Sequence, residues 1–274
     1  MNKSIEKSIK VSLSSNNYIG RWYNYKENWG DAINPFLVNK LFKKNVFHEN
    51  EVLNIFGLPV YSIVGSIINV FRKNSRVRIW GSGVANPEQP LVYIPEKIYA
   101  VRGPKTLKYL INNKIKLNNV DFGDPVLLID RIYEKPQVIK KYKVGIIKHY
   151  ADKTPYLDAI VKNNSDFHYI NILRDMKNPF SIVDEIVSCE NIVSSSLHGL
   201  VLSDVYKIPN VWVSFNNRKN PYKYLDYYES IGSKITEDIV LHSNLNEKIL
   251  INLPFEVNYL KIDLDALFQS SPFK

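Results

Sequence analysis

The chain has 274 residues, 45% apolar and 12% aromatic, which is long enough for two ordinary domains and too apolar for disorder. No run approaches the roughly 20 apolar residues that span a bilayer, and a single cysteine, Cys189, excludes an intrachain disulfide and reads as a buried structural thiol. Lysine and arginine number 36 against 27 acidic residues, a surplus of 9 that favours an anionic partner. No nucleic-acid-binding signature accompanies that charge, so a phosphorylated substrate or a membrane surface is expected and nucleic acid is not. The first residues lack the apolar core of a signal peptide, and a cytoplasmic location is expected.

Residues 1–17 are polar and read as a loose end, and 18–25, with three tyrosines and Trp22, as a first strand or its approach. Asn28, Gly30 and Asp31 then form a turn ahead of helical spacing over 36–42. Asn34 or Asp31 can cap that helix, and Pro35 suits its first position. Asp31 is either that cap or a carboxylate aimed into a crevice. Residues 61–68 are apolar around a central glycine, and 77–85 read as a strand running into Gly81-Ser82-Gly83, where backbone can approach a ligand closely. Residues 97–110 repeat the pattern of strand, turn and helix, with Pro104 opening the helix and Arg102 at the strand end, where ligands bind in open parallel sheets. A surface salt bridge is the plainer use of that arginine, and a bidentate grip on carboxylate or phosphate the other.

Residues 120–129 close the first half, and 130–143, rich in lysine, read as a linker. A new strand from Val144 ends at Lys148, His149 and Asp152; another covers 168–173, and 179–189 fits a helix. Residues 191–213 hold a strand, three serines, a helix with Leu197, His198 and Gly199 in its first turn, and a second strand. A helix begun in this way turns free amides and its positive dipole end toward an anion, with the His198 imidazole beside it. Residues 216–228 are polar and tyrosine-rich, and 251–268 include a closing helix. Strands alternate with helices on both sides of the linker. The fold class is therefore α/β: two Rossmann-like domains with parallel sheets, divided as 1–138 and 139–274, with the active site in the interdomain cleft and the last helix packing back on the first domain.

Seven pieces, in order, resemble the polysaccharide pyruvyl transferase family: Asn28-Trp-Gly-Asp-Ala-Ile-Asn-Pro35, Trp80-Gly-Ser-Gly83, Val101-Arg-Gly-Pro-Lys-Thr106, Gly123-Asp-Pro-Val-Leu-Leu128, Gly145-Ile-Ile-Lys-His-Tyr-Ala-Asp152, Ser194-Ser-Ser-Leu-His-Gly199 and Asp226-Tyr-Tyr-Glu-Ser230. The resemblance implies a fold similar to GT-B glycosyltransferases and an enzyme that moves pyruvate from phosphoenolpyruvate onto two hydroxyls of a sugar. That sugar would belong to a surface polysaccharide or its lipid-diphosphate-linked precursor, met at the inner membrane face. It also associates Arg102 and His198 with donor binding and catalysis. Two positions depart from the family's pattern: Ser196 stands where many members have Arg, and Lys148 where members often have Pro, so Lys148 is expected to restore the missing charge.

The reaction needs a proton acid or base, best supplied by His198, with Asp31 as second carboxylate and His149 in reserve. Arg102, Lys148, Ser195, Ser196 and the amides of Leu197 and Gly199 are the expected donor site. Asn28, Trp29, Gly81, Ser82 and Gly83 are the expected acceptor side, with Trp22, Tyr222, Tyr224 and Tyr227 as candidates for stacking on sugar rings. No metal-ligand cluster shows in the sequence, and no cofactor or obligatory metal is expected. The enzymatic alternative is a GT-B glycosyltransferase using a sugar nucleotide, since a helix N-terminus holds its diphosphate equally well. A non-catalytic protein that kept the fold is the third reading.

Overall fold

A computed structural model describes residues 3–24, 27–73, 75–216 and 220–274. The first half contains helix α1 (Lys3–Leu13), strand β1 (Asn17–Arg21), helices α2 (Trp29–Ala32) and α3 (Asn34–Phe42), and strands β2 (Asn45–His48), β3 (Val60–Ser62), β4 (Val77–Trp80) and β5 (Lys97–Val101). Helix α4 (Pro104–Asn112) and strand β6 (Asp121–Phe122) complete it. All its strand pairs are parallel, in the order β2-β1-β3-β4-β5-β6. The second half runs β7 (Tyr142–Ile147), α5 (Pro155–Asn163), β8 (Phe167–Tyr169), α6 (Ser181–Val187), β9 (Cys189–Ser194), α7 (Leu197–Val205), β10 (Asn210–Phe215), α8 (Tyr222–Ser230) and β11 (Ile239–Leu241). Its sheet is also parallel, ordered β11-β10-β9-β7-β8. Helices α9 (Glu247–Ile251) and α10 (Leu264–Gln269) follow.

The strands bury both faces, as parallel strands between helix layers must. Val77 and Ile79 of β4 enter one core cluster while Trp80 enters another, and in β7 Val144 and Ile146 part in the same way from Ile147. One cluster spans the two halves: Trp29, Ile33 and Val126–Ile129 pack with Ile147, Leu197, Leu200 and Val201. Residues 125–129 were expected merely to close the first half, but Pro125–Arg131 form a 3-10 helix whose first five residues are buried at this junction. Polar contacts add to it. The Trp29 amide donates to Ile172 O at 2.9 Å and its indole Nε1 to Pro179 O at 2.6 Å.

Two termini differ from the sequence reading or extend it. Residues 3–13 are helical because Ser8 and Val11 share one face that packs on the first domain, where the Ser8 hydroxyl accepts the Leu53 amide. At the other end, α10 and Phe273 lie on the first sheet: the Phe273 ring is wholly buried, 4.9 Å from Tyr18, 5.1 Å from Tyr61 and 5.8 Å from Trp80. Trp80 Nε1 donates to Leu267 O at 3.0 Å. The strand approach expected over 18–25 is β1 up to Arg21; Tyr25 lies outside the described residues, as do 217–219 of the tyrosine-rich run.

A buried ion pair crosses between the halves. Arg102 Nε meets Asp226 Oδ2 at 3.0 Å, both side chains at 0% exposure, and the other Asp226 bonds come from the Thr106 amide at 2.8 Å and hydroxyl at 2.7 Å. Removing one member strands a charge away from water at a cost of about 3–5 kcal/mol. Arg102→Ala and Asp226→Ala should each lower unfolding stability by that amount in denaturant titration, and the double substitution by clearly less than the sum.

Candidate active site

Each sheet has a place where the chain reverses direction across it. From β1 the chain runs out to β2 and returns past β1 to β3; from β7 it runs out to β8 and returns past β7 to β9. A crevice opens beyond the carboxyl ends of the strands at such a reversal. The two crevices meet in one cleft of about 520 Å³. Residues 21–24 after β1 and 65–67 after β3 line its first-domain side; His149 and Tyr150 after β7, with 196–198 after β9, line the other.

His198 stands in the first turn of α7, in the cleft wall and 8% exposed. Its Nε2 is buried without a hydrogen-bond partner among the described residues and points at Asp124 Oδ2, 3.6 Å away. Asp124 is itself fixed, since its other oxygen accepts the Val126 amide at 3.0 Å and caps the 3-10 helix. On the opposite side the ring lies against Gly30, where an added Cβ would fall 1.7 Å from Nδ1. No side chain fits there. Trp29 presents its ring to the imidazole edge-on, with centroids 6.3 Å apart.

Asp31 faces His198 from the first domain. It sits in α2 and caps nothing: α3 has Ile33 at its N-cap position, and the carboxylate is turned into the cleft. Asn28 Nδ2 donates to Asp31 Oδ2 at 2.5 Å. Burial pushes the Asp31 carboxyl above its usual range, and His198, Asn28, Lys223 and the Tyr23 backbone pull it back. Asn34 has a different task from the expected cap. Its side chain donates to Asp31 O at 2.7 Å and accepts the Val64 amide at 2.9 Å, pinning the loop after β3.

The second-domain wall is built around α7. Ser196 occupies the N-cap position with extended backbone (φ −101°, ψ 129°), and its side chain makes no cap bond. The nine-residue helix thus opens without a side-chain cap, and its first residues, Leu197 and His198, line the cleft with Ser196. Ser194 and Ser195 are committed elsewhere: Ser194 Oγ accepts the Ser196 amide at 3.1 Å and donates to Ser196 O at 2.9 Å, while Ser195 Oγ donates to Asp152 Oδ2 at 2.5 Å and accepts the His149 amide at 2.9 Å. Gly199 packs against Ser194 and Ile147 behind the cleft. His149 lines the cleft with its ring stacked 4.4 Å from Tyr150.

Several expected site residues stand away from the cleft. Arg102 is wholly buried, and each of its three nitrogens donates, to Asp226, to Val84 O at 2.9 Å and to the Ser66 hydroxyl at 2.5 Å. Ser66 lines the cleft and Arg102 does not, so its bond to Ser66 is its link to the cleft wall. Gly83 leaves the space that the Arg102 guanidinium fills, since a Cβ there would lie 2.3 Å from Cζ; Gly81 packs on Pro125, and Ser82 Oγ bonds Ser62 Oγ at 2.5 Å inside the core. Lys148 leaves the cleft for Asp158, 3.3 Å from Oδ1, with its ammonium 4.9 Å from the Tyr169 ring centroid. Trp29, Tyr224 and Tyr227 are buried packing residues, and Tyr222 bonds Lys105 O. Asn28 and Trp22 do line the cleft.

Among the described residues, the cations that the cleft presents are Arg21 and Lys223. Arg21 ends β1 and pairs with Glu49 at 3.0 Å, and Lys223 lies in the first turn of α8. The strand-end rule that singled out Arg102 applies to Arg21 as well. Lys223 had no such signal, and Asp124 was visible only as part of a Gly-Asp-Pro turn. No group of three or more His, Cys, Asp or Glu with metal-binding geometry occurs among the described residues.

The family model for polysaccharide pyruvyl transferase matches residues 28–217. Among curated proteins the chain is 30% identical over 251 residues to the uncharacterized protein L143 of Acanthamoeba polyphaga mimivirus, covering 87% of this chain and 82% of that protein. It is 24% identical over 218 residues to the succinoglycan biosynthesis protein ExoV of Rhizobium meliloti (strain 1021), covering 77% of this chain and 64% of ExoV. The matched span runs from Asn28, through Asp31 and Asp124, to His198 and β10, so it carries Asp31 and His198 from the two facing cleft walls, and the chain belongs to the polysaccharide pyruvyl transferase family.

Proposed function

We propose that the protein transfers pyruvate from phosphoenolpyruvate to two neighbouring hydroxyls of a saccharide acceptor, forming a ketal and releasing phosphate. The observation that carries this reading is the meeting of His198, Asp31 and the uncapped start of α7 in one cleft between two parallel sheets. The donor phosphate sits at the α7 amides by Ser196 and Leu197, with Lys223 supplying the cation that Ser196 does not. His198, its Nε2 turned to Asp124, protonates the methylene carbon of the enol phosphate from Nδ1. Asp31 takes the proton of the first attacking hydroxyl; the second hydroxyl then displaces phosphate, which leaves with that hydroxyl's proton. Asp124 holds the imidazole from behind, as a carboxylate beside a general acid does. The acceptor occupies the side lined by Trp22 and Asn28, and is carried on a lipid diphosphate met at a membrane surface. The reaction so written needs no obligatory metal.

Thermal melting separates this donor from a sugar nucleotide. Phosphoenolpyruvate at about 100 times its Kd should stabilise the fold by ~2.7 kcal/mol, an effect that Lys223→Ala reduces. A shift produced only by sugar nucleotides would overturn the reading.

His198→Ala should lower kcat by roughly 10²–10⁴. Gly30→Ala should do the same with His198 intact, because its methyl group must displace the imidazole; unchanged turnover in Gly30→Ala would remove His198 from the reaction.

Asp31 gives a pH signature. Its folded value is raised by burial, so its contribution to stability is present below about pH 4, the unfolded value, and is lost as pH rises through the folded one. Asp31→Asn should therefore melt higher than the parent protein at neutral pH and alike at low pH, while losing turnover.

A further inference from the structure

The outer face of α1 carries Ile5, Ile9 and Leu13, one turn apart, and all three are exposed, Leu13 at 80%. A soluble helix packed on a domain normally turns its aliphatic stripe inward. Here the inward face is Ser8 and Val11 instead. A second exposed group lies on the loop before β3, where Leu53, Ile55 and Phe56 protrude, Ile55 at 71% and Phe56 at 56%.

The contacts fasten the start of this loop to α1. Glu51 meets Lys7 at 2.7 Å and the Leu53 amide meets Ser8 Oγ at 2.9 Å, so from 51 to 53 the chain moves around α1 from the Lys7 side to the Ser8 side. Each residue turns about 100° around the helix. Ile5 and Ile9 lie next around the helix past Ser8, and Ile55 and Phe56 stand at the corner of the turn that follows Leu53, closed by the Gly57 amide on Asn54 O at 3.3 Å.

Basic groups border this face. Lys10 adjoins Ile9 on α1, where it also pairs with Glu6 at 3.5 Å, and Arg72 and Lys73 are exposed. Arg72 lines a cavity of about 420 Å³ with Asn54, Gly57 and Leu58 of the same loop, and Arg76 Nη1 donates to Gly57 O at 2.7 Å. That cavity shares Arg21, Glu49 and Asn50 with the candidate active site. Protruding aliphatic and aromatic side chains among cations are the pattern of a surface that lies in the headgroup layer of a negatively charged bilayer. A stable protein interface would instead draw on roughly 20–30 residues a side.

We propose that α1 and the 53–56 loop dock this protein on the surface of an anionic lipid bilayer, Ile5, Ile9, Leu13, Leu53, Ile55 and Phe56 entering the headgroup boundary. The docking gives a location to the membrane contact named above and sets the mouth of the active-site cleft against the lipid surface.

The test is cosedimentation of the 274-residue protein with vesicles of phosphatidylcholine containing a third phosphatidylglycerol, which involves no transferase assay, so it stands or falls apart from the donor chemistry. Binding should be strong to these vesicles, weak to pure phosphatidylcholine and weakened by salt. Ile55→Ser with Phe56→Ser, both at exposed positions, should reduce it by about tenfold or more with the melting temperature unchanged. Equal binding by that variant, or no binding to the anionic vesicles, would overturn the proposal. So would a parent protein that is dimeric in solution and becomes monomeric in the variant, since the face would then belong to a second copy.

Discussion

Arg102 and Asp226 form a fully buried ion pair, and it ties the two halves together. The charges sit on elements from different halves, Arg102 just after β5 and Asp226 in the middle of α8. An isolated charge in such a place is costly, so the pair favours an arrangement of the halves in which each charge has its partner. The match extends outward: Thr106 at the start of α4 completes Asp226, Val84 O and Ser66 complete Arg102, and Ser66 lies on the cleft wall. The pair thus connects the geometry of the cleft to the stability of the whole chain.

That arrangement explains why a pocket forms here. Each sheet opens at its own reversal point, and either crevice alone would be shallow. Set facing one another, they enclose a volume in which a carboxylate from one half and an imidazole from the other meet beside a helix start. The contacts that hold them are close: Gly30 lies against the His198 ring, and Trp29 is fastened to the backbone around Pro179 and Ile172. General acid chemistry depends on such placement, because proton transfer falls off steeply with distance.

Much of this was legible in the sequence, and the exceptions have physical causes. The alternation of apolar strands and helices gave both parallel sheets, and the run from Asn191 to Val213 is β9, α7 and β10 in order. Strands β2 and β11 escaped because they are short edge strands of four and three residues, too brief for a period to show. Helix α1 escaped because its buried face is a serine and a valine. At the site, His198, Asp31, Asn28, Ser196 and His149 reach the cleft because local turns place them at strand ends, and turns are local. Arg102 and Lys148 also follow strands, yet each meets a carboxylate, Asp226 being 124 residues further along the chain and Asp158 ten. Position in a motif tells where a side chain begins, and only the tertiary fold tells what neutralises it. Lys223 was hidden for the converse reason, since a lysine between two tyrosines carries no pattern until α8 is seen to face the cleft.

The packing of Phe273 among Tyr18, Tyr61 and Trp80 bears on how the molecule is made. A ring from the far end of the chain fills a gap between β1, β3 and β4, all of which leave the ribosome long before it does. Until residue 273 emerges, the first sheet has an open apolar seam, while the second sheet, from β7 to β11, already has all its strands. The usual order, in which the domain synthesised first is finished first, is therefore reversed in its last step. Nascent chains should spend the interval with the seam of β1, β3 and β4 open, which is the span of synthesis when a chaperone has most to cover.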